Sequence, residues 1–137
     1  HNAGPKTGKI VIVAEVDGNG ARKEGRQSTA AALQAHEDLD AIFAINDPSA
    51  LGAYTAVVEA NLQDHIKIIG FDGMPEGKQA IKAGHIYADP IQHPDQMGRQ
   101  IIQLIMKYQA GKDFPKETLI PASLYTKADA DQDPDLK

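Results

Sequence analysis

No cysteine occurs in the 137 residues. That absence removes disulfides, thiolate metal sites and cysteine nucleophiles together. Long apolar runs are missing as well, and nothing approaches the roughly 20 consecutive apolar residues that a membrane-spanning helix needs. Positive charge is in the minority: 14 Lys and Arg face 19 Asp and Glu, for a formal net charge of −5. This speaks against a nucleic-acid partner, which would want a basic face. What remains is 42% hydrophobic and 24% charged, a globular composition. The length fits one ordinary domain that buries roughly two-thirds of its unfolded surface. No signal peptide is visible and the chain opens on His1-Asn2-Ala3-Gly4-Pro5 rather than Met, so the expectation is that something upstream is missing.

Hydrophobic periodicity predicts alternating strands and helices. Residues 1–9 read as a Gly/Pro/Lys-rich loop. Ile10–Ala14 is a short β-branched run of the kind buried on both faces of a sheet, broken by Asp17-Gly18-Asn19-Gly20. A helix is predicted over about 22–36 and a strand over 39–45. Asn46-Asp47-Pro48-Ser49 then ends that strand and opens a helix to about 61, where Pro costs no hydrogen bond. Ile66–Ile69 reads as a third strand and 75–83 as a helix capped by Gly84. Ile86–Asp89 reads as a fourth strand and 94–111 as a long helix. Two extended pieces follow, near 118–120 and 124–126, and then an acidic tail over 128–137 expected to be mobile. Such alternation implies an α/β fold, a parallel sheet flanked by helices through βαβ crossovers.

Ligands of such sheets sit beyond the carboxyl ends of the strands. The residues there are Glu15, Asp17 and Asn19, then Asn46 and Asp47, then Asp72, then Asp89, Gln92 and His93. Carboxylates accept paired hydroxyls, and amides both give and accept, which suits a sugar. An anion would want Arg, Lys or bare N–H groups instead. Each of these residues alone reads equally well as a turn former; the recurrence of such residues as Asn46, Asp72 and Gln92 at three successive strand ends is what points to a site.

Rival constellations fall short. Gly18-Asn19-Gly20 lacks the third glycine of a dinucleotide fingerprint, since Lys23 stands there. The five histidines, at 1, 36, 65, 85 and 93, show no zinc spacing. Asp129-Ala130-Asp131-Gln132-Asp133 copies the first half of a calcium loop, but Pro134 replaces the required glycine and no twelfth-position Glu follows. No Gly-x-Ser-x-Gly elbow is present. Asp72 and Asp89 leave a glycosidase-type carboxylate pair open. No cofactor and no metal is expected.

Three segments carry a resemblance. They are Phe43-Ala44-Ile45-Asn46-Asp47-Pro48-Ser49-Ala50-Leu51-Gly52-Ala53, Ile68-Ile69-Gly70-Phe71-Asp72-Gly73-Met74-Pro75-Glu76-Gly77, and Ala80-Ile81-Lys82-Ala83-Gly84 followed by Ile91-Gln92-His93-Pro94-Asp95-Gln96-Met97-Gly98. In order and spacing they resemble the second lobe of the ribose-binding-protein-like periplasmic receptors, the type I periplasmic-binding-protein fold shared with LacI-like regulators. With Leu119–Tyr125 the likeness covers most of 9–127.

The resemblance implies a non-enzymatic receptor that feeds an ABC transporter permease and encloses a monosaccharide between two lobes, in the periplasm or anchored outside the cytoplasmic membrane. It implies sugar contacts from Asn46, Asp72 and Gln92, with Asn19, Arg22 and His93 as further candidates. The family often places an aromatic residue where this chain has Gly20 or a neighbour, and none lies nearby. The resemblance also implies a division in which 10–92 with 123–127 form the second lobe, short of its first βα unit, and 93–122 belong to the other lobe. A fragment, or completion by a missing N-terminal lobe or a second chain, is the corresponding expectation, since an unpartnered sheet edge favours association. The alternatives are the effector-binding core of a LacI-type transcription regulator, a sugar-processing α/β enzyme, and a lobe that binds nothing by itself.

Overall fold

A computed structural model describes residues 10–136 of the chain. The β-branched run near Ile66 supplies the central strand β2 (Lys67–Ile69), flanked by β1 (Ala41–Phe43) and β3 (Ala88–Ile91). Both pairings are parallel, with Phe43 beside Ile69 and Ile69 beside Ala88. The fourth strand, β4 (Ser123–Thr126), closes the order β1-β2-β3-β4 and runs antiparallel to β3, with Asp89 opposite Tyr125 and Ile91 opposite Ser123.

Helix α1 (Arg22–Ala35) precedes β1, and α2 (Asp47–Glu59), α3 (Pro75–Lys82) and α4 (Pro94–Gln109) connect the successive strands. Prolines in the first turn of α2, α3 and α4 fall where a missing N–H leaves no bond unmade. α1 packs against α2, while α2 and α3 lie against β2 and β3. The core is small-residue and aliphatic. Ala50, Ala53 and Val57 from α2 meet Ala80 and Ile81 from α3, Ile66 and Ile68 around β2, Ile86 before β3, and Tyr125. Ile68, Ile81, Ile86 and Val57 are essentially inaccessible, each contributing roughly 1.5–3 kcal/mol by burial.

Several expectations are corrected. Ile10–Ala14 forms no strand, and Ile10, Val11, Ile12 and Val13 are exposed. A strand needs a neighbour to accept its N–H groups, and no described segment pairs with it. The piece near 118–120 is likewise no strand. The expected fourth strand lies two residues later, at Ala88–Ile91.

The tail expected to be mobile is ordered over its described part, as α5 (Lys127–Gln132) and a single 3-10 turn at Pro134–Leu136. Ala130 is fully buried and Leu136 packs against the core. A capping box starts α5: the Thr126 backbone N–H and hydroxyl both donate to the Asp129 carboxylate, at 2.8 and 2.6 Å. Asp133 accepts from the Tyr125 hydroxyl at 2.7 Å and the Lys78 ammonium at 3.2 Å. Asp129 and Asp133 therefore serve as a cap and as an ion-pair partner. The loop expected over 1–9 lies outside the described residues.

Candidate functional site

The parallel strands β1 and β2 end in register, and the chain leaves both at the same edge of the sheet. Asn46 lies three residues past Phe43, and Asp72 three residues past Ile69. Asn46 caps α2: its Oδ1 accepts from the Ser49 N–H at 3.0 Å, and its Nδ2 donates to the Gly20 carbonyl at 2.9 Å. One amide thus fixes both a helix start and the turn after residues 10–17, and among the described residues one N–H of Nδ2 is left for another acceptor.

Asp72 is half-buried with φ of 110°, a conformation that a residue with a Cβ rarely adopts. Such strain persists only where the surroundings hold it, and it is typical of functional loops. The hold is visible. The Asp72 N–H donates to the Pro90 carbonyl at 3.3 Å, and the Gln92 N–H donates to the Asp72 carbonyl at 3.1 Å. The Gln92 side chain closes the arrangement, its Nε2 donating to Asp72 Oδ1 at 2.6 Å. Asp72 and Gln92 line an open hollow together with Gly73, Met74 and Pro94. Asn46 is not in its lining.

The other candidates are dispersed around this edge. Arg22, at the start of α1, donates to Glu76 in the first turn of α3 at 2.7 Å, and both side chains are well exposed. Asn19 has φ of 49°, and its backbone N–H donates to Asp17 Oδ1 at 2.8 Å. His93 is the N-cap residue of α4, and its Nε2 lies 2.7 Å from Ser123 Oγ on β4. Among the described residues no cluster of three or more His, Asp or Glu is placed to hold a metal ion.

Two carboxyls lie beneath the site rather than in it. Asp47, the first residue of α2, is 1% exposed, and Asp89 of β3 is 0% exposed. The Met74 N–H donates to Asp47 Oδ2 at 2.6 Å, and the Gly73 N–H donates to Asp89 Oδ2 at 3.0 Å. Burial raises both pKa values. With the Asp47 charge and hydrogen bond added, Asp89 is pushed up to about 7. The carboxyl pair the structure assembles is thus Asp47 with Asp89, out of solvent, with Asp72 above it. The sequence did hold a signal for it. Gly70 and Gly77 flank the motif, and a Cβ at Gly77 would fall 2.3 Å from Asp47 Cγ, so α3 approaches that closely only because residue 77 lacks one.

A periplasmic binding protein domain model matches residues 3–113. The ribose import binding protein of Salmonella typhimurium is 41% identical over 80 residues, 58% of this chain and 27% of that protein. The corresponding protein of Haemophilus influenzae is 38% identical over 116 residues, 85% of this chain and 38% of that protein. The chain therefore spans about a third of the length of these relatives. Among solved structures, an ABC transporter periplasmic solute-binding protein from Actinobacillus succinogenes with bound D-allose superposes with a TM-score of 0.81 at 26% identity, covering 88% of this chain and 43% of that one.

Proposed function

We propose a function for this chain from one premise: it belongs to the periplasmic binding protein domain family. In this reading it supplies the sugar-gripping lobe of a non-enzymatic receptor outside the cytoplasmic membrane. The receptor holds a monosaccharide, ribose-like or allose-like, and delivers it to an ABC importer permease. The relatives are import binding proteins for ribose, which favours the transport reading over a regulator's effector core.

The carrying observation is the Asp72–Gln92 pair, strained and hydrogen-bonded at the open ends of neighbouring strands. Asp72 would accept two ring hydroxyls and Gln92 would both give and accept. Asn46 would offer its spare N–H from the adjoining loop. Closure of a second lobe over the sugar would remove these groups from water, and the closed form would be favoured by the bonds made only there.

The lobe division follows the same reading: 10–92 and 123–127 belong together, and 93–122 pack on the companion lobe. In support, α4 has no buried residue, and Ile101, Ile102, Ile105 and Met106 stand exposed on it. Such a face suits burial against another body.

The test is calorimetry with D-ribose and D-allose on the protein with its companion lobe. Asp72→Ala should remove binding, a loss of at least about a hundredfold for a charged acceptor of paired hydroxyls, while circular dichroism stays unchanged. Undiminished affinity in that variant defeats the assignment.

A further inference from the structure

Asp47 and Asp89 have no evident reason to be buried. Each gives its Oδ2 to one N–H of the 70–74 loop, yet neither Oδ1 meets a backbone, hydroxyl or cationic donor. The two Oδ1 atoms converge beside Gly70, where a Cβ would lie 2.8 Å from that of Asp47 and 3.4 Å from that of Asp89.

Among the described residues no cation compensates them. On α3, Glu76 is bound to Arg22, and Lys78 to Asp133. On α2 itself, the next charge is Glu59, bound to Arg26. On β4, Tyr125 lies opposite Asp89 and turns its hydroxyl to Asp133. Among the described residues the further charge acting on the pair is Asp72, of the same sign. Two bare carboxylates in this setting would be costly. A proton between them supplies the donor both Oδ1 atoms lack.

We propose that Asp47 and Asp89 share one proton and act as positioning residues, holding the 70–74 loop so that the strained Asp72 faces the ligand. This deepens the sugar-binding reading and rests on it. With the proton in place, one carboxyl donates to the other, and both keep an Oδ2 on the loop amides. Once the proton leaves, two adjacent anions repel beneath a third, and the amides of Gly73 and Met74 lose their fixed acceptors. Burial and mutual charge hold that proton up to about neutral pH, so sugar affinity should fall as pH rises through the neutral range.

Two arms test this. The first uses this chain alone: carbon-detected NMR of the Asp carboxyls from about pH 4 to about pH 9, with protection factors of the Gly73 and Met74 amides. One carboxyl of the pair should stay protonated well above the ordinary range, and amide protection should drop about tenfold as it ionises. Asp89→Asn supplies a permanent N–H donor to Asp47 and keeps an acceptor for Gly73, so protection should persist and the pH step vanish. Asp89→Ala should lower protection at every pH. Asp47→Asn, the mirror replacement, serves if Asp89→Asn does not fold.

The second arm is D-ribose and D-allose calorimetry on the two-lobed protein. Affinity should fall about tenfold over the same step in the native protein and stay level in Asp89→Asn. Ordinary titration of both carboxyls, or a pH step surviving in both Asn variants, overturns the pair. Absence of any sugar binding at acid pH defeats the functional reading, while the NMR arm still decides whether the pair holds the loop.

Discussion

Gly77 is the residue at which packing is most exacting. Its missing Cβ leaves the room that the Asp47 carboxyl occupies, and Asp47 in turn accepts the Met74 N–H one residue before α3 begins. Alanine is the better helix former, yet Gly77→Ala should destabilise the chain by about 1–3 kcal/mol, because the new methyl meets a buried, hydrogen-bonded group that cannot yield freely. Urea denaturation measures it, and an unchanged midpoint would mean that α3 shifts at no cost. At this scale the sequence was informative about identity and poor about role. Asp72 and Gln92 were legible because their types and spacing place them at strand ends. Asp47 and Asp89 read the same way in the sequence, and their own types and spacing do not distinguish a carboxyl facing solvent from one facing another carboxyl below; the hint lies in the neighbouring glycines, Gly77 above all.

Elements were legible where hydrophobic period and cap agreed, as in α2, with Asn46 at its N-cap and Pro48 in its first turn. They were illegible where structure depends on a neighbour. Ile10–Ala14 has the composition of a buried strand, but a strand forms only against a partner. Residues 128–136 have the composition of a solvated tail, but Asp129, Ala130 and Asp133 each engage a specific group. Asp129→Ala breaks the capping box and should cost about 0.5–2 kcal/mol. Thermal unfolding by circular dichroism checks it, and a midpoint equal to the native one would return this stretch to the status of a tail.

For the molecule as a whole, the acidic groups pull its pH dependence two ways. Asp133 is held down at about 2, first by the Tyr125 hydroxyl and further by Lys78. Its contribution is present above the ordinary carboxylate range and is lost as pH falls toward 2. Asp89 is shifted the other way, toward about 7, so the folded chain binds a proton that the unfolded chain releases. That contribution is complete below the ordinary range and disappears as pH rises toward 7. The midpoint of thermal unfolding should therefore peak at about pH 4–5 and decline toward about pH 8. A curve rising steadily to neutrality would contradict the burial of Asp89 as a proton holder.

The overall α/β plan was legible in the sequence, whereas the antiparallel return of β4 was not. That return has its own mechanical consequence. The chain departs the sheet at Gln92 and re-enters at Ser123, and these ends are fastened side by side, Ile91 to Ser123 through the ladder and His93 to Ser123 through a side chain. Both ends of the excursion are thus anchored at one place on the sheet. Since Gln92 is also bonded to Asp72, the anchor of that long excursion and the carboxylate proposed to hold the sugar are one hydrogen bond apart.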